Sequence, residues 1–180
     1  MTITLSRQSP LTSGAATKRL AARGCAVTIF AALALSTLAC TQQEAMELQL
    51  ASGINGLRTE RQLQPLPVDP VLSSVARMRA ENMAVKGYFG HQPPDGCDHR
   101  CLLQRKGIQM AWAGEIIAWN TYAPAQTAAA SVNLWENSPS HYATITTCHF
   151  TRMGTGAASG ADGRTYHVAV FEGDAPGCPP

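Results

Sequence analysis

Trp135-Glu136-Asn137-Ser138-Pro139-Ser140-His141-Tyr142 reads as the end of one helix and the start of the next. Ala128, Val132 and Trp135 recur at i, i+4 and i+7, the spacing of one buried helical face. Ser138 is placed to cap the following turn, and Pro139 suits the first helical position, where its missing N–H costs nothing. This predicts His141 in a first helical turn, where the positive end of the helix dipole disfavours the imidazolium. A neutral imidazole accepts a hydrogen bond or binds a metal. Two other stretches, around His91 and Glu115, have the residue types to meet it.

Upstream, residues 41–45 read as a short polar tether, and Met46, Leu50, Ile54 and Leu57 mark one face of a first helix with Arg58 and Arg61 near its end. The two prolines between Leu63 and Val68 predict an extended connector. Asp69-Pro70 is a strong helix start. Leu72, Val75, Ala76, Met83 and Ala84 give that second helix a buried face, and Gly87 ends it. Gln92 to Cys97 is a loop, and His99 to Lys106 a short helix stopped by Gly107. Ile108 to Trp119 contains a strand with Glu115 in an apolar setting. Residues 124–137 form the helix that ends on the opening stretch. Phe150 to Ala158 and Thr165 to Glu172 are two strands joined by a Gly-Ala-Asp-Gly turn. Helices, a strand, a helix and a hairpin, without regular βαβ alternation, predict an α+β domain with an antiparallel sheet.

The chain has 180 residues, enough for one domain with a real core. Its formal charge of +2 comes from the leader, which holds Arg7, Lys18, Arg19 and Arg23. Residues 41–180 carry ten Lys and Arg against twelve Asp and Glu, about −2. No basic patch with interleaved aromatics points to nucleic acid. Residues 1–40 have the three parts of an export signal: basic Lys18 to Arg23, apolar Ala26 to Leu38, and the small-residue site Thr37-Leu38-Ala39-Cys40. The apolar run is shorter than the roughly 20 residues of a spanning helix. Cleavage after Ala39 with lipidation of Cys40 is favoured over ordinary cleavage, so any membrane attachment is expected through that lipid. The domain is expected to occupy residues 41–180.

Export permits disulfides. Besides Cys25 in the leader and Cys40, there remain Cys97, Cys101, Cys148 and Cys178. Four cysteines allow three pairings, and sequence does not choose among them. The expectation is Cys97–Cys101 closing a local loop and Cys148–Cys178 tying down the tail. A four-cysteine zinc site is disfavoured, because the spacing has no C-x-x-C pair.

Six stretches in order resemble a known family. Asn55-Gly-Leu-Arg58 resembles N-x-x-R. Leu66 to Asp69 with Leu72 and Ala76 resembles the opening of its second helix. Tyr88-Phe89-Gly90-His91 with Pro94-Asp95-Gly96 resembles F-S-H followed by D-G. Gly114-Glu115-Ile116-Ile117-Ala118 resembles G-E-N-I-A, the opening stretch resembles W-x-x-S-P-x-H, and Met153-Gly154-Thr155-Gly156 resembles its G-x-G strand. Together they resemble the CAP superfamily of cysteine-rich secretory, antigen and pathogenesis-related proteins, in its bacterial form. The resemblance implies a three-layer α-β-α sandwich with a central antiparallel sheet. It also implies a cleft in which two histidines and two acidic residues hold a divalent metal. His91, Glu115 and His141 match three of these four; the fourth falls on Ser138, and the family's Asn after the glutamate is Ile116.

Read from the residues themselves, two imidazoles and a carboxylate on three elements are a ligand set for Zn²⁺ or a similar ion. The same trio also serves structure, since a buried Glu needs donors. The structural reading is favoured. Phe89, Tyr142, Trp135 and Ser138 are expected along the cleft. His99, His149 and His167 are expected to have no special role. Two functions follow. One is a non-enzymatic envelope binding module for a lipid, sterol or cell-wall ligand. The other, ranked lower, is a metal-assisted hydrolase of peptide or envelope polymer with Glu115 as base. One Glu does not easily ligate and deprotonate at once, and no nucleophile elbow is present.

Overall fold

The computed structural model describes residues 42–174. The leader, Cys25, Cys40 and Cys178 lie outside the described residues. Helix α1 covers residues 42–60, so most of the expected polar tether is already helical. Helices α2 (Pro70–Lys86) and α3 (His99–Arg105) follow, then strand β1 (Trp112–Asn120). Helices α4 (Pro124–Glu136) and α5 (Pro139–Ile145) precede strands β2 (Arg152–Ser159) and β3 (Thr165–Gly173). The sheet is antiparallel in the order β1-β3-β2, so β3 is central and β1 and β2 are edges.

The layers follow from alternation along the strands. Ile116 and Ala118 of β1, Met153 and Ala157 of β2, and Ala169 and Phe171 of β3 join α1, α4 and α5 in one core. Ile117 of β1 and Tyr166, Val168 and Val170 of β3 join α2 and α3 in a second core on the opposite face. This is the three-layer sandwich expected, with a central antiparallel sheet. No helix among the described residues is long and apolar enough to cross a membrane.

Local chemistry sets the element ends. Asp69 accepts from Val71 N at 2.7 Å and Leu72 N at 3.0 Å, and Gly87 closes α2 with φ +65°. On α1, Met46, Leu50, Ile54 and Leu57 are all buried. Arg58 does more than sit near a helix end. It donates to Gln64 O (3.0 Å), Ile145 O (2.7 Å) and Thr147 O (2.8 Å), tying the end of α5 to the connector. Asn55 holds that connector by both its amide groups, to Leu66 N at 2.8 Å and Leu66 O at 3.0 Å. The N-x-x-R spacing is therefore a clasp on the segment between α1 and α2.

Gly154 and Gly156 let α2 lie directly on β2. A Cβ at Gly154 would stand 2.1 Å from Ser73 N, and one at Gly156 2.3 Å from Ala76 C. The connector also covers the outer edge of β2: Met153 N donates to Pro67 O at 3.1 Å and Asp69 N to Met153 O at 2.8 Å.

Cys97 and Cys101 form the expected local disulfide, with Cα atoms 5.2 Å apart. Cys148 is also disulfide-bonded.

Candidate functional site

Glu115 points from β1 toward α2, and its side chain is completely buried. Arg79 of α2 meets it, with Nε 2.7 Å from Oε2 and Nη2 3.3 Å from Oε1. The same guanidinium donates to Tyr88 Oη (2.7 Å), Gly90 O (2.8 Å) and His91 O (2.9 Å). One arginine thus fixes both the carboxylate and the loop that carries His91. That loop then returns the His91 ring, whose Nδ1 lies 2.8 Å from Glu115 Oε1. An ionised carboxylate only accepts, so Nδ1 carries the proton and donates it to Glu115. The His91 side chain is half exposed.

Burial alone would raise the Glu115 pKa; the hydrogen bonds from His91 and Arg79, with the charge of Arg79, outweigh it and hold the carboxyl below its usual range. His99, at the start of α3, has Nδ1 3.9 Å from Glu115 Oε1. Neither of its ring nitrogens is hydrogen-bonded among the described residues. Burial lowers its pKa and prevails over the attraction of Glu115 and Asp98. The expectation of no special role for His99 is therefore corrected: it is a second ring packed at the carboxylate.

Ser138 and Pro139 start α5 as expected, but the Ser138 side chain makes no capping hydrogen bond. His141 titrates below its ordinary value because of burial and, secondly, the nearby charge of His91. A cleft of about 250 Å³ opens here. Phe89 lies on its α2 side, Leu134, Trp135, Ser138 and His141 on its α4–α5 side, and Ile117, Ala118 and Trp119 of β1 between them. Tyr142 is not part of this lining. One residue on from His141 it turns about 100° around the helix and packs on the α1 core, with Arg61 over its ring at 5.9 Å. A second groove of about 240 Å³, lined by Glu44, Leu48, Val68 and Arg77 among others, lies beside α1. Its arginine is taken by Glu47 at 2.5 Å.

The three expected metal ligands do not fit a three-ligand site. Both Glu115 oxygens are occupied by Arg79 and His91, so the carboxylate orients the imidazole. Among the described residues no group of three or more His, Cys, Asp or Glu is arranged to hold a metal ion. His91 and His141 remain as the imidazoles near the cleft.

The remaining histidines are also more specific than expected. His167 is wholly buried on β3, its Nδ1 2.9 Å from Ser131 Oγ of α4, and burial lowers its pKa to about 4. His149 stacks on Trp112 with ring centroids 4.1 Å apart. Sequence reasoning passed over Arg79. Its signal was its spacing, seven residues after Leu72 and four after Val75, squarely on the buried face of α2.

A sandwich of this kind with a His–Glu pair beside a cleft defines a class, and the comparisons agree with it. Residues 52–171 match the model of the CAP, cysteine-rich secretory protein, family. The chain belongs to that family. An uncharacterized Bacillus subtilis protein, YkwD, is 32% identical over 121 residues, covering 67% of this chain and 46% of the relative. The chain thus spans about half the length of that relative. Two solved structures share the fold. An extracellular SCP-domain protein of Bacillus anthracis superposes with TM-score 0.64 at 24% identity, covering 73% of this chain and 41% of its own. An outer surface protein of Borrelia burgdorferi superposes with TM-score 0.61 at 23% identity, covering 70% of this chain and 90% of its own.

Proposed function

We propose that this protein is an exported, non-enzymatic binding module of the cell envelope, holding a lipid, sterol or cell-wall ligand in the cleft beside His141. The observation that carries this reading is the state of Glu115. Its two oxygens are engaged by Arg79 and His91, and its pKa is held low. A carboxylate so neutralised is a poor general base and a poor ligand to a metal, whereas the cleft beside it has largely apolar walls. The solved relatives, one extracellular and one at an outer surface, support export. So does the disulfide Cys97–Cys101.

Attachment through a lipid on Cys40 is part of the proposal. Globomycin should then block maturation; unaffected processing would favour ordinary secretion. Native mass spectrometry of protein purified from the envelope tests the binding function. A copurified small molecule lost on Trp135→Ala supports it. Ligand-free protein, with time-dependent cleavage of envelope peptide abolished by Glu115→Gln, would replace it with the hydrolase.

A further inference from the structure

The cleft runs along one edge of the sheet. Among the described residues β1 pairs with β3 alone. In an antiparallel pair, every second residue of an edge strand turns its N–H and C=O away from its partner. The other edge of the sheet is managed, since the connector bonds both backbone groups of Met153. Among the described residues the outer edge of β1 is not. Its Ala113 carbonyl takes Arg100 Nη2 at 3.2 Å. From Gly114 to Trp119, no backbone group bonds any backbone outside the sheet, among the described residues. Ile117, Ala118 and Trp119 of this same stretch line the cleft, between Phe89 on one side and Leu134 on the other. Phe89 and Leu134 are 46% and 50% exposed.

We propose that the cleft takes a short, extended, uncharged peptide as a fourth strand on the outer edge of β1. This deepens the binding-module reading and rests on it, narrowing its lipid, sterol and cell-wall candidates to the peptide portion of a cell-wall ligand. The complementarity is in the backbone. An edge strand offers alternating donors and acceptors, and only another extended backbone satisfies them at that repeat. An acyl chain laid on the same edge would bury those groups unpaired, a loss of about tenfold or more in affinity for each. The walls suit side chains that alternate across a strand, one toward Phe89 and the next toward Leu134. The length agrees: three cleft residues of β1 span roughly 10 Å, so the cleft grips about three residues of a partner. Charge gives no reason to prefer a charged peptide. Glu115 is buried and neutralised by Arg79, and the Arg164 guanidinium, 4.0 Å over the Trp119 ring, is answered by Asp162 at 3.7 Å. A charged side chain laid on the apolar walls would lose its hydration without gaining a partner.

The test is an NMR titration of the mature protein with acetyl-Val-Thr-Val-Thr amide, the same peptide N-methylated at alternate residues, a version with lysine for threonine, and hexanoate as an apolar probe. We expect amide shifts at residues 114–119 and at Phe89. We expect the N-methylated peptide to bind about tenfold more weakly, having lost its donors, and the lysine peptide more weakly as well. Phe89→Ala and Leu134→Ala, both at exposed positions, should weaken binding while leaving the spectrum of the fold unchanged. Equal binding of the N-methylated peptide, shifts at Leu48 and Val68 instead, or no peptide binding at millimolar concentration would overturn the proposal. Hexanoate shifting the cleft amides while the peptides do not would overturn it and leave the binding-module reading standing.

Discussion

Arg79 Nε lies 2.7 Å from Glu115 Oε2, and both side chains are sealed from water at 1% and 0% exposure. Two charges so placed keep each other charged. Burial lowers the arginine pKa, but Glu115 raises it to a net value above the usual one, and the carboxyl moves the other way. The pair also sets the geometry of the site, because Arg79 grips the carbonyls of Gly90 and His91.

Removing one partner strands the other. Arg79→Ala or Glu115→Ala is expected to cost about 3–5 kcal/mol, the range for breaking a buried ion pair. Replacing both, Arg79→Met with Glu115→Leu, should recover much of that loss, since no unpaired charge remains. Urea denaturation of the four proteins checks this. Additive single and double losses would show that the two residues act independently.

Acid should weaken the fold in two stages. His167 has a folded pKa of about 4 against an ordinary 6.5. A group lowered in this way adds stability that is complete above the unfolded pKa and lost as pH falls toward the folded one. Its share, roughly 3 kcal/mol by the pKa difference, should therefore disappear between pH 6.5 and about 4. His99 and His141 are shifted in the same direction and add to the slope. Glu115, held below 4.5, contributes stability present above that value and lost only as pH falls through its folded pKa. His167→Gln should flatten the first stage and spare the second. Thermal melts at pH 7, 5.5 and 4 make the comparison, and an unchanged slope would reject the assignment.

The disulfide Cys97–Cys101 straddles His99, and Asp98 between them caps α3 by accepting from Cys101 N at 3.0 Å. Opening so short a loop is expected to cost about 2 kcal/mol. Cys97→Ser with Cys101→Ser should also loosen the first turn of α3. The His99 pKa, lowered by burial, then rises toward 6.5 in a histidine NMR titration. A stability loss without that rise would mean the bond has no part in placing the ring.

Several elements were legible because their signals are local. Asp69-Pro70 and Gly87 bracket α2 through capping and left-handed geometry that any context requires. Met46, Leu50, Ile54 and Leu57 repeat with the period of a helix. The site was legible only in part. Glu115 was found because a carboxylate in an apolar run must have donors, and His91 because Tyr88-Phe89-Gly90-His91 resembles the family's F-S-H stretch. Arg79 was missed because periodicity scoring counts apolar residues, and a charge on the buried face of α2 reads as an interruption. His167 was missed for the opposite reason. Every residue of β3 from Tyr166 to Gly173 is buried, so alternation carries no information there. Its partner Ser131 is 36 residues away. The cleft-lining place given to Tyr142 failed on helical phase, since adjacent residues of α5 face different layers.

The closest approach of helix to sheet gives the sharpest contrast between neighbouring residue types. A methyl group at Gly154 would lie 2.1 Å from Ser73 N, and one at Gly156 2.3 Å from Ala76 C. Both obstacles are α2 backbone, which cannot swing aside as a side chain can. Gly154→Ala or Gly156→Ala must push α2 off β2, and with it Arg79 away from Glu115. We expect losses of at least about 3 kcal/mol, the upper end for overpacking, and a change in the His91 ring signals as its Glu115 contact loosens. Gly56→Ala is the control. It sits in α1 with nothing within 4 Å of the added methyl, and should stabilise by about 0.5–1 kcal/mol through helix propensity. Equal effects at positions 56 and 154 in denaturant melts would show that α2 does not rest on the strand as described.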